Sequence, residues 1–143
     1  MKHLIFFIAT LLMLPFSGNV IAQSENLPSA DSIQAEEVMY QYFAALAGGD
    51  IGTLETLLGG RLKARRTPLL NNPEYAGYLA TAYVNASFQI LSIHGTTPNT
   101  VSVHVRVSFS QDETIHKMYT LERNTSDNVA VPYHIVNEAA VAD

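Results

Sequence analysis

Between Thr100 and Phe109 the chain alternates without a break. Val101, Val103, Val105, Val107 and Phe109 fall on one side, and Thr100, Ser102, His104, Arg106 and Ser108 fall on the other. This period of two, with β-branched residues on its apolar side, predicts a long antiparallel strand with one face on a core and the other wetter. The same period predicts three flanking strands. They run over Phe88 to His94, over Thr114 to Arg123 with Ile115, Tyr119 and Leu121 on one side, and over Val129 to Val136. Pro132 marks the last of these as an edge strand or a bulge. Polar turns separate them at Gly95 to Asn99, Gln111 to Glu113 and Asn124 to Asn128.

Upstream of Phe88 the spacing is helical. Ala35, Val38, Met39, Tyr42, Phe43 and Leu46 form one apolar stripe, with Glu36, Glu37 and Gln41 opposite. Asp31 or Ser32 caps this helix at its start, with Gln34 three residues after Asp31, and Gly48 and Gly49 end it. Asp50 caps a short second helix whose buried face is Ile51, Leu54, Leu57 and Leu58, and Gly59 and Gly60 stop it. In RLKARRTPLLNN, Pro68 should kink or end any helix before it. Asn72 and Pro73 then open a third helix to Asn85, with Tyr75, Tyr78, Leu79, Ala82 and Tyr83 as its apolar surface. Three N-terminal helices followed by a four-stranded antiparallel meander make an α+β domain. A twisted sheet with a long helix on one side curls around that helix.

The domain does not begin at residue 1. Met1-Lys2-His3 is a charged start, LIFFIATLLMLPF is an apolar run, and Val20-Ile21-Ala22 has the small-x-small form of a processing site. These features predict a secretory signal peptide over residues 1–22, cut after Ala22, and a soluble periplasmic or secreted product. The run is shorter than a spanning helix needs and is interrupted by Pro15, so no membrane anchor is expected after processing. Residues 23–31 read as a flexible lead, 32–137 as the domain and 138–143 as an Ala-rich tail that frays. The chain has no Cys, so its stability must come from packing. The formal charge is −5, and −6 once Lys2 leaves with the signal segment, which makes nucleic acid a poor partner.

Two pieces of sequence carry a resemblance. YQYFAALAGGDIGTLETLLGG resembles the opening of the nuclear transport factor two-like (SnoaL-like) superfamily, where an amphipathic helix ends in a Gly-Asp turn before a short Leu-rich helix. FQILSIHGTTPNTVSVHVRVSF is similar to the first long hairpin of that superfamily. The resemblance covers about Asp31 to Val136 and is nearest in kind to small exported members of unknown function. It implies a cone-like, cystatin-like roll with a cavity between curved sheet and helices, often dimeric through the sheet. Such members often carry a Trp in the last strand; this chain has none, and Tyr133 stands in its place.

The candidate chemistry follows from that frame. The cavity candidates are Tyr42, Leu46, Tyr78, Val105, Phe109, Tyr119 and Tyr133. A tyrosine hydroxyl and a carboxylic acid in an apolar cavity could polarise a carbonyl, as in isomerases or hydrolases of related fold. The strand pattern, however, offers no carboxylate on an inward position: Asp112 and Glu113 fall at a hairpin tip, Glu122 on the polar parity, and Asp50 in a cap. The expected activity is therefore binding of a small, mainly apolar molecule or of a periplasmic protein, with no catalysis and no cofactor. His104 and His116 share the polar parity of adjacent strands. With no third ligand of matching reach they predict a solvated or dimer-facing surface and no metal site. Arg61, Lys63, Arg65 and Arg66 form a basic cluster on an acidic domain, a candidate patch for an anion or an acidic partner.

Overall fold

The computed structural model describes residues 30–110, 112–127 and 130–142. The expected signal segment and nearly all of the flexible lead lie outside the described residues. Among the described residues, four helices precede four strands: α1 (Ala30–Gly48), α2 (Ile51–Leu57), α3 (Gly60–Leu70), α4 (Tyr75–Tyr83), β1 (Ser87–Thr97), β2 (Thr100–Ser108), β3 (Thr114–Arg123) and β4 (Tyr133–Ala140). The strands form one antiparallel sheet in the order β1-β2-β3-β4. Helix α1 touches both edge strands, β1 and β4, so the sheet bends around it without closing.

The apolar stripe of α1 and the valine face of β2 belong to one buried core. Val103 and Val105 are fully buried, as are Ala35 and Met39. Phe43 stacks on Phe88 of β1 with ring centroids 4.0 Å apart, and meets Tyr119 of β3 edge-on at 6.0 Å. Asp50 caps α2 as its position predicts, accepting from the Thr53 backbone N–H at 3.0 Å and from the Thr53 hydroxyl at 2.6 Å. Gly49 adopts φ +63, and a Cβ there would sit 2.3 Å from the carbonyl oxygen of Ala76, so α1 and α4 can approach closely only at glycine. The junction between α2 and α3 is fastened to β4: Leu58 bridges Ile135, and Gly59 N–H donates to the Ile135 carbonyl at 3.0 Å.

Three expectations are corrected. Pro68 does not end the helix; it sits inside α3, giving four helices where three were expected. It falls in the last turn on an exposed side, where the carbonyl deprived of its donor belongs to the exposed Ala64. The tail does not fray after Asn137. Ala139 and Ala140 pair with Met118 and Lys117 of β3, and Val141 N–H donates to the His116 carbonyl at 2.9 Å. The backbone demand of β3 overrides the weak strand preference of alanine. Finally, β4 begins at Tyr133, immediately after Pro132, so Ala130 and Val131 stay outside it, while the expected start at Val129 lies outside the described residues.

Irregularities of register fall on the outer strands. On β1 they lie between Ile90 and Ser92 and between Gly95 and Thr97; where β3 meets β4, Thr120 pairs Asn137 while Leu121 pairs Ile135, leaving Val136 as the extra residue. The central β2–β3 ladder runs through nine partners without a shift. Each bulge switches which parity faces the core. On β1, Phe88 and Ile90 face inward before the bulge and Ile93 after it, opposite Val103.

Candidate functional site

The bulge at Val136 builds the site. Tyr133 and Ile135 point into the core. Continued strict alternation would turn Asn137 inward next. The extra residue instead sets Glu138 opposite the buried Tyr119 and on the same face. This corrects the expectation that no strand carries an inward carboxylate. Lys117, two residues before Tyr119, shares that inward parity, so the apolar side of β3 also carries a cation.

Glu138 keeps only 12% of its side chain exposed. Its Oε1 accepts from the Arg66 guanidinium, and its Oε2 lies 3.6 Å from Lys117 Nζ. Oε2 is buried, and among the described residues no donor reaches it within hydrogen-bond distance. Helix α3 supplies Arg66 because it packs along β4, and Leu62 and Leu70, one turn to either side, bury the same face. Burial by itself would depress the Arg66 guanidinium, but the charge of Glu138 and its hydrogen bond outweigh that and raise it.

Two spaces meet at this pair. A chamber of about 20 Å³ is bounded by Glu138, Arg66, Tyr42, Leu46, Tyr75 and Tyr83, among others, and has room for about one water molecule. An open groove of about 470 Å³ lies outside it between α3 and α4, lined by Arg66, Leu69, Asn72, Glu74, Tyr75, Tyr78, Leu79 and Tyr83. The two share Arg66, Tyr75, Leu79 and Tyr83. The chamber inside is thus nearly filled, and the groove opens at the helices, away from the valine face of the sheet. Tyr75 and Tyr78 stack in the groove at 6.1 Å with planes 14° apart, and Tyr78 is 65% exposed.

Burial, and then the Glu138 charge, push the Tyr42 hydroxyl well above its ordinary range; the same two causes raise Tyr83. Burial raises Tyr119 further, reinforced by Tyr42. These tyrosines therefore stay protonated and can only donate to, or accept from, a neighbour as neutral hydroxyls.

The sequence candidates are divided by this geometry. Tyr42 and Leu46 line the chamber, and Tyr78 lines the groove. The other four line neither. Val105 is sealed beneath the helices. Phe109 lies just past the end of β2, tilted against Tyr83 at 5.4 Å. Tyr119 is fixed between the rings of Tyr42 and Phe43. Tyr133 faces the opposite end, where its hydroxyl accepts from Arg123 at 3.0 Å and Arg123 also pairs with Asp31 at 2.7 Å. Of the basic cluster, Arg61, Lys63 and Arg65 are exposed, while Arg66 turns to Glu138. Arg65, Arg66, Leu69 and Glu138 border a shallow depression of about 280 Å³. Periodicity alone could not reveal Glu138, because its parity depends on the bulge. Lys117 was legible as a charge on the apolar side of β3.

On the outer face of the sheet, His104 and His116 do meet, Nε2 to Nδ1 at 3.2 Å, as diagonal neighbours. Among the described residues no group of three or more His, Cys, Asp or Glu gathers to hold a metal ion, and no helix is long and apolar enough to cross a membrane. Scans of this chain against protein-family models, curated proteins and solved structures each return no match.

Proposed function

We propose that this chain is a small exported binding module of the nuclear transport factor two-like kind, acting in the periplasm or outside the cell. Its ligand lies in the groove between α3 and α4, with an apolar or aromatic body against Tyr75 and Tyr78 and a polar end directed at Arg66 and Glu138. The observation that carries this reading is the buried Oε2 of Glu138, an acceptor without a protein donor beside the inner end of a tyrosine-lined groove. A buried acceptor left unmatched is unfavourable by about 1–3 kcal/mol, so a ligand hydroxyl or amine supplied there gains specificity as well as affinity. The groove volume falls in the range of small-molecule sites.

Native mass spectrometry of protein recovered from the periplasmic fraction tests this. A co-purifying small molecule is expected, and it should be lost from Tyr78→Ala and from Glu138→Leu. Retention in both variants would sink the reading. A second reading is an isomerase or hydrolase, favoured by the shared chamber of Glu138 and Tyr42. Against it, Glu138 Oε1 is committed to Arg66, which leaves a single oxygen for proton transfer. A homodimer through the outer sheet face is compatible with either reading, and sedimentation at micromolar concentration decides it.

A further inference from the structure

We propose that His104 and His116 form a two-histidine chelate for a divalent transition-metal ion, copper above all, on the outer face of the sheet. Two imidazole nitrogens bound at about 2.0–2.1 Å to one tetrahedral ion lie about 3.3 Å apart. At the right angle of a tetragonal copper site they lie about 2.9 Å apart. The facing nitrogens here, His104 Nε2 and His116 Nδ1, are 3.2 Å apart, between those values. The rings are inclined at 55° with centroids 5.3 Å apart, so the two lone pairs can converge on one point after small ring rotations. Chelation requires the protons on the outward nitrogens, His104 Nδ1 and His116 Nε2, which are ordinary neutral tautomers.

The scaffold is rigid where it matters. Both residues lie within the nine-partner β2–β3 ladder, the one stretch of sheet without an irregularity, so the bite is set by backbone hydrogen bonds and little ordering remains to be done. The neighbouring cation is turned aside. Arg106, the direct partner of His116, donates to Gln89 on β1, which draws its charge away from the pair. Met118, the direct partner of His104, brings a thioether to the same face, a soft neighbour that favours copper over magnesium or calcium. Both histidines are only part-buried, so an ion and its remaining water ligands have access. This surface is on the opposite side of the sheet from Glu138, and the inference stands or falls independently of the groove.

The test is a titration of the processed protein, recovered from the periplasmic fraction without residues 1–22 and therefore without the copper-binding Met1-Lys2-His3 terminus, with Cu2+, read by calorimetry and by electron paramagnetic resonance. One high-affinity ion per chain is expected, with superhyperfine splitting from two nitrogens. His104→Gln and His116→Gln should each weaken binding at least about tenfold and leave one coupled nitrogen. His94→Gln and His134→Gln should change neither readout. Circular dichroism checks that the sheet is intact in each variant. Binding that persists undiminished in the His104 and His116 variants, or a wild-type spectrum with a single coupled nitrogen, overturns the proposal.

Discussion

Replacing Arg66 by Met while keeping Glu138 isolates the energetic role of the inward ion pair. The variant preserves most of the stem that packs along β4 but removes the donor to Oε1. Breaking a fully buried pair from one side costs about 3–5 kcal/mol because a desolvated charge is left behind. Here Arg66 is 31% exposed and Lys117 remains 3.6 Å from the other oxygen, so about 2 kcal/mol is the expected loss. Glu138→Leu takes away the buried charge instead; Arg66 and Lys117, 31% and 22% exposed, are near enough to the surface to turn their charged ends to water, so the expected change is within about 1 kcal/mol of wild type. The double variant places two apolar side chains face to face and should match Glu138→Leu. The cycle then yields a coupling of about 2 kcal/mol. Urea unfolding followed by circular dichroism measures all four proteins, and an unchanged m-value shows that stability alone has moved. A coupling below about 0.5 kcal/mol, or Glu138→Leu less stable than Arg66→Met, would refute the view that an uncompensated carboxylate is the costly species.

Alkaline pH should unfold the protein through its inner tyrosines. Tyr42 and Tyr119 have hydroxyls raised above the unfolded value of about 10, so their contribution is intact below that pH and is lost above it, at about 2.7 kcal/mol per pH unit for the two together. Absorbance at 295 nm should show the buried tyrosines ionising only as circular dichroism collapses; ionisation of every tyrosine near pH 10 with the fold intact contradicts this. Gly49→Ala combines a positive φ with a Cβ 2.3 Å from the Ala76 carbonyl oxygen, and should lose at least about 2 kcal/mol in a thermal melt. Phe43→Ala removes a ring stacked on Phe88 and should lose about 3–5 kcal/mol in urea, whereas a loss under about 1 kcal/mol would mean that the site collapses to fill itself.

Much of this architecture is readable in the chain because local and long-range signals agree. The valine alternation of β2, the stripe of α1 and the Asp50 cap each follow from a period or a side-chain bond spanning a few residues. The site escaped because its decisive residue obeys no local period. Glu138 faces inward only because Val136 is extra, and that is a property of how β4 registers against β3. The inward turn of Arg66 escaped for a related reason. Within RLKARR every basic residue looks alike until β4 is laid against one side of α3. Pro68 misled in the other direction, since the rule against a proline inside a helix is weakest in a last turn open to water.

The distribution of the register shifts has a consequence for how copies of this chain meet one another. A curved ribbon with two free margins could recruit strands from neighbouring molecules and grow into fibrils. On one margin the ribbon is broken by bulges around Leu91 and Thr96; on the other it is broken at Val136 and clasped at Ile135 by Leu58 and Gly59. A chain that is acidic and unable to staple itself with cysteine thus guards its perimeter by geometry, and leaves only its uninterrupted middle perfectly straight-laddered.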